Sequence, residues 1–104
     1  MGYRFTAELW LHAGEAAWYF VTLPIDVADE IDDMTVGATR GFGSVRVRVT
    51  VGSTTWATSI FPSKQAESFL LPVKKAVRTA ERIDEGDQVE IDLELVDLDG
   101  PMPS

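Results

Sequence analysis

Lys74, Lys75, Arg78 and Arg82 fall within one short stretch, LPVKKAVRTAER, and positions 74, 78 and 82 recur every four residues. On a helix this spacing lines the three along one face. Together with Arg40 and Lys64, and with Arg46 and Arg48, they could gather a phosphate or a carboxylate through charge-assisted hydrogen bonds. The competing reading is a solvated face neutralised by the chain's own acids. Glu90, Asp92 and Glu94, for example, could oppose Arg46 and Arg48 across a strand pair. Trp10, Trp18 and Trp56 could line a pocket beside such a site, and small Thr58 between Trp56 and Ile60 could leave space within a barrel. Ordinary core packing is the alternative for these aromatics.

Other constellations carry less. Gly37, Gly41 and Gly43 sit in a glycine-rich loop, but their spacing matches neither phosphate-binding fingerprint, and a strand pattern follows where a helix is required. His12 is the single histidine, beside the first turn and expected to be exposed. No nucleophile-elbow pattern surrounds Ser44, Ser59 or Ser63. The acids of DVADEIDD lack the spacing and the Gly of a calcium loop. No acid–base pair stands out, so the expectation is a non-catalytic protein with no cofactor and no metal.

The totals narrow the class. A chain of 104 residues is one domain by length. Apolar content of 45% and charged content of 25% are ordinary for a soluble protein. No apolar run approaches the roughly 20 residues of a membrane span. The opening MGYRFTAELW alternates and lacks the apolar core of a secretion signal. Cysteine is absent, so there is no disulfide framework or thiol chemistry, and a cytoplasmic location is expected. The net charge of −8 disfavours nucleic acid and anionic lipid. The charge is unevenly spread: Met34 to Ala80 holds seven bases and one acid, Glu67, whereas the remainder holds two bases and sixteen acids. Either the two sets neutralise each other in the fold or they make a two-faced surface.

The elements that must position these residues read as follows. Tyr3, Phe5, Ala7, Leu9 and Leu11 alternate with polar or aromatic neighbours, the period of a strand with one buried face. A second strand, AAWYFVTL over 16–23, is apolar or aromatic on both faces, so neither looks fully wet. Pro24 suits the first turn of a helix with an apolar stripe of Val27, Ala28 and Ile31 and acids elsewhere. Val45, Val47, Val49 and Val51 make a clean third strand. Gly52-Ser53 fits a two-residue hairpin turn with Gly first, and Thr54 to Phe61 returns as the fourth strand, which Pro62 is expected to end. Ser68 to Leu71 is a short strand. Val73, Ala76, Val77 and Ala80 predict a second helix that buries one stripe. Asp84-Glu85-Gly86-Asp87 turns the chain into a last strand with Val89, Ile91, Leu93 and Leu95 inward. The tail 97–104 is expected to be flexible.

Two Leu-Pro units, at 23–24 and 71–72, each precede a helix, while the apolar helix positions match best one residue further on. The expected fold is therefore mainly β: a small six-stranded, partly open, pseudo-symmetric barrel with two short helices, a form that also disposes of strand edges.

With these elements placed, the chain resembles the bacterial and archaeal family called domain of unknown function 1905. The matching residues are F-x-A-x-L (Phe5, Ala7, Leu9), W-Y-F-V-x-L-P (Trp18 to Pro24), G-F-G-S-V-R-V (Gly41 to Val47), T-S-I-F-P (Thr58 to Pro62), L-L-P-V-K-K-A-V-R (Leu70 to Arg78) and E-G-D-x-V (Glu85 to Val89). The resemblance spans residues 3 to 96 and implies a small partly open β-barrel with helices packed on it. It implies no activity. Where it leads one to expect a Gly, before Phe69, this chain reads Gln-Ala-Glu-Ser. A second, local resemblance links LPVKKAVRTAERIDEGDQVEI to the half-barrel unit of swapped-hairpin transcription regulators, which pair to bind DNA.

The expected function is a binding module for a small anionic ligand or an acidic partner, with Arg40, Lys64, Lys74, Arg78, Trp18 and Trp56 as candidate site residues. The alternative is a protein–protein or self-association domain, monomer or homodimer, in which the acidic first helix meets the basic second one between molecules. A nucleic-acid regulator is a more distant alternative.

Overall fold

Alternation drives this chain into strands. In the computed structural model, which describes residues 2–14, 17–35 and 44–96, every alternating segment is a strand and both helical patterns are helices. The order is β1 (Gly2–His12), β2 (Trp18–Thr22), α1 (Ile25–Thr35), β3 (Val45–Val51), β4 (Thr54–Ser63), β5 (Ser68–Pro72), α2 (Lys75–Glu81) and β6 (Gln88–Leu95). The strands close into a barrel in the ring order β1-β2-β5-β4-β3-β6, each antiparallel to its neighbours. The barrel is closed where the sequence suggested a partly open one. Closure gives every strand a neighbour on each side, so no strand is an edge strand. Phe5, Leu9, Val21, Ile60, Leu71, the valines of β3 and the apolar residues of β6 fill its inside. Each aliphatic side chain so buried contributes about 1.5–3 kcal/mol.

The two-residue turn at Gly52-Ser53 forms as its sequence predicts, with Gly52 at φ 59. Strand β4, however, does not stop at Pro62. It continues to Ser63, with Pro62 opposite Phe69. Beyond Ile60 no described residue of β3 pairs with that strand, and a strand end outside the ladder accommodates a residue lacking an N–H.

The ring order is unchanged when β1, β2 and β3 exchange with β4, β5 and β6, so the topology has a pseudo-two-fold axis. Two hydrogen bonds fix the equivalence: Leu23 N–H donates to Phe69 O at 3.0 Å, and Val73 N–H donates to Tyr19 O at 2.9 Å. Leu23 therefore corresponds to Val73, and Tyr19 to Phe69, an offset of 50 that neither the Leu-Pro units nor the helix stripes give. Val21 and Leu71 pair with each other at the centre of this symmetry. The register of β1 on β2 and of β4 on β5 then makes Ile60 the counterpart of Leu9, and Trp56 the counterpart of Phe5.

The two helices differ. Ala28 and Ile31 of α1 are buried and Val27 packs on the core. Within α2 only Val77 is buried, and Ala76 and Ala80 are exposed, against the four-residue stripe expected there. The helix begins only at Lys75, so buried Val73 precedes it. It ends after seven residues at Arg82, which takes a left-handed conformation with φ 57 and ψ 45. At this length there is no second apolar turn to cover the barrel. The end is tied instead by Glu81, whose carboxylate accepts from the hydroxyl of Thr54 on the neighbouring hairpin.

A candidate anion-binding opening beside the second helix

Strand β5 is only five residues long, and this shortness creates the site. Its last β2 partner is Phe20, opposite Pro72. Past that pair, Trp18 and Tyr19 of β2 and Trp56, Ala57 and Thr58 of β4 have no strand between them. The chain leaves through this gap into α2, held by the Val73–Tyr19 backbone bond. What remains is an opening of about 440 Å³, walled by Trp18, Tyr19 and Trp56 and rimmed by Lys74, Lys75 and Arg78. Among the described residues no acidic side chain lines it.

Arg78 is the best anchored of the cations. Its guanidinium carbon lies 3.7 Å from the centre of the Tyr19 ring, and its Nε donates to Val73 O at 3.2 Å. A cation held over an aromatic face this closely is worth about 0.5–2 kcal/mol. The same contacts fix where the charge stands. Lys74 and Lys75 are exposed. The i, i+4 line of 74, 78 and 82 is not a straight helical face, because Lys74 precedes the helix, Arg82 ends it and Arg78 bends back onto Tyr19.

Among the described residues no acid forms an ion pair with this cluster. Among the described residues the ion pairs join Arg4 to Asp92 at 2.7 Å and Arg48 to Glu94 at 2.8 Å. The second is one of the cross-strand pairings read from the sequence. Asp92 instead serves Arg4, and Arg46 stands opposite Ser59 of β4.

Of the six residues singled out from the sequence, Trp18, Trp56, Lys74 and Arg78 meet at this opening. Lys64 does not. It lies on the turn before β5, at the opposite end of that strand, in a hollow with Asp29 and Asp32 of α1 and with Glu67. Arg40 lies outside the described residues, as does the glycine-rich loop. Sequence reasoning missed Tyr19, whose place in WYF gave no sign that it would carry a guanidinium.

It also left unread a second surface. On the outer face of β1-β2-β5-β4, Trp10, Trp18, Phe20, Phe61 and Leu70 form an apolar groove of about 920 Å³. Trp18 is 53% exposed and Phe61 45%. The signal was present in β2, whose residues are apolar on both faces. Exposed His12 stands at the groove edge-on to Trp10 and Phe20. Among the described residues no group of three or more His, Asp or Glu is placed to hold a metal ion. No described helix is long and apolar enough to cross a membrane.

A family model described as a domain of unknown function, DUF1905, matches residues 5–93. No curated protein matches the chain.

Proposed function

The chain belongs to the DUF1905 family, and from its geometry we propose that it is a non-catalytic binding module for a small anionic ligand, taken at the opening beside α2. One observation carries this reading: Lys74, Lys75 and Arg78 rim a concave, aromatic-walled opening in which no described acid offsets them. A carboxylate or phosphate entering there exchanges water for up to three charge-assisted donors. The walls are already in place, which lowers the ordering cost of binding. A cytoplasmic setting fits the reading and the cysteine-free chain.

The test is a thermal-shift titration with phosphate and with acetate, on the native chain and on a Lys74→Ala, Lys75→Ala double variant. An anion at about 100 times its dissociation constant stabilises by roughly 2.7 kcal/mol. The expected result is a shift in the native chain that the double variant loses while its own unliganded Tm is unchanged. The lysines are the better probes, since Arg78→Ala would also remove the Tyr19 contact. An equal response in both proteins would discard the site.

A second reading is self-association. It is supported by the exposed acids of α1, Asp26, Asp29, Glu30 and Asp33, which oppose in sign the bases around α2. Sedimentation over a range of concentrations and salt tests it; an assembly indifferent to salt would count against pairing of these faces.

A further inference from the structure

We propose that the outer aromatic groove and the basic opening are two halves of one site, and that its ligand is an amphipathic organic anion: a flat ring system carrying a carboxylate or phosphate. This deepens the anion-binding reading above and rests on it. Trp18 is the joint, because it lines both the groove and the opening. Its ring and that of Phe20 lie within 9° of parallel, with centroids 6.0 Å apart. Trp10 packs against Phe20 at 5.3 Å. The indole N–H of Trp10 donates to Thr22 Oγ1 at 2.9 Å, so its one polar atom is already satisfied within the sheet. The groove therefore offers aromatic faces with little competing polarity.

The two halves are chemically complementary to one kind of molecule. Among the described residues no carboxylate, lysine or arginine lines the groove, and its polar neighbours are His12, Ser63 and Gln65. The charge among the described lining residues stands on the far side of Trp18, at Lys74, Lys75 and Arg78, and is positive. A ligand that is apolar at one end and anionic at the other satisfies both. The ligand end at Trp18 and Phe20 is assigned a ring because aromatic faces gain more from an offset-stacked or edge-on π partner than area alone supplies. The groove volume lies within the range of about 300–1,000 Å³ that holds small organic ligands. An extended nucleic-acid strand fits less well, since a chain of net charge −8 offers it three cations here.

The experiment is calorimetric titration of the full chain with three probes: 2-naphthoate, 2-naphthol and acetate. These carry the ring and the acid, the ring alone and the acid alone. 2-Naphthoate is expected to bind at least about tenfold tighter than either of the others. Trp18→Ala is expected to weaken 2-naphthoate by about three- to tenfold and acetate by less, because only the ring-bearing probe uses the groove. The Lys74→Ala, Lys75→Ala variant is expected to weaken 2-naphthoate and leave 2-naphthol unchanged. Equal binding of 2-naphthoate and acetate, indifferent to Trp18→Ala, would overturn the joint site and leave the anion-binding reading standing. Equal binding of 2-naphthoate and 2-naphthol, indifferent to the lysines, would overturn both, as would no binding of any probe. A concentration-dependent rise in mass that Trp18→Ala abolishes would make the groove a protein interface and overturn the inference.

Discussion

The half of the barrel closed by α1 and the half closed by α2 share one topology and have different seals. On the α1 side an 11-residue helix lays Ala28 and Ile31 onto the barrel, and the aromatics there, Phe5 and Phe69, are 8% and 7% exposed. On the α2 side a seven-residue helix lays down Val77, and the counterparts Trp56 and Tyr19 remain half-buried at an open gap. The first helix is acidic, the second begins among bases. The repeated strand order decides where the two gaps fall. Helix length and the number of apolar positions decide whether a gap becomes core or stays open. Swapping a phenylalanine for a tyrosine or tryptophan adds a polar edge suited to a wet rim.

The largest break in this comparison comes from its best-sealed point. Ile31→Ala should cost about 2–5 kcal/mol in denaturant unfolding, as a methylene-deleting change in a fully buried position does. Ala80, its counterpart by the helix pattern, is exposed, and Ala80→Ser should stay within about 0.5 kcal/mol. Similar losses at the two positions would refute the unequal sealing. Next in size is the tie that holds the short helix. Gly52 has a positive φ, and a Cβ there would run into the Glu81 carboxylate that receives Thr54. Gly52→Ala should therefore lose about 1–2 kcal/mol; an unchanged midpoint would show that Glu81 does not anchor α2.

The seal on the α1 side has one flaw. The Tyr3 hydroxyl is buried without a hydrogen-bond partner. Burial, with a smaller contribution from Glu30, raises its pKa above the usual 10.0. The folded chain then keeps a proton that the unfolded chain releases, so stability falls as pH rises past about 10 and is unaffected below it. Tyr3→Phe should raise stability by about 1 kcal/mol at neutral pH and remove that alkaline loss. A destabilised variant would mean that the hydroxyl is satisfied. A smaller gain is expected at Glu67, which takes φ 53 on the turn where the family resemblance suggested a glycine. A left-handed non-glycine residue is strained, so Glu67→Gly should gain about 0.5–1 kcal/mol in the same unfolding assay. A loss there would mean that the Glu67 side chain does more for the turn than its backbone costs.

Much of the fold could be read from the sequence because its strands obey a period of two and two of its turns place Gly, at 52 and 86, where φ is positive. The β3 valines, the Gly52-Ser53 turn and the inward face of β6 follow from that alone. Part of the lining of the candidate opening was legible too. Lys74 and Arg78 were visible as a basic cluster, and Trp18 and Trp56 as aromatics in need of a place. Lys64 was misjudged as their neighbour because distance along the chain does not reveal which end of β5 a residue occupies.

The sequence by itself determined the elements, the uneven charge and the family, since these are local patterns of polarity and residue type. Only the tertiary structure decided that the barrel closes, that β4 runs through Pro62, and that β2 matches β5 at an offset of 50. It also decided that Arg78 folds onto Tyr19, and that Trp18 stands between a basic opening and an apolar groove. Those outcomes depend on strand register and on where a short strand stops. Pairing between distant segments sets both, and no window along a single chain contains that information.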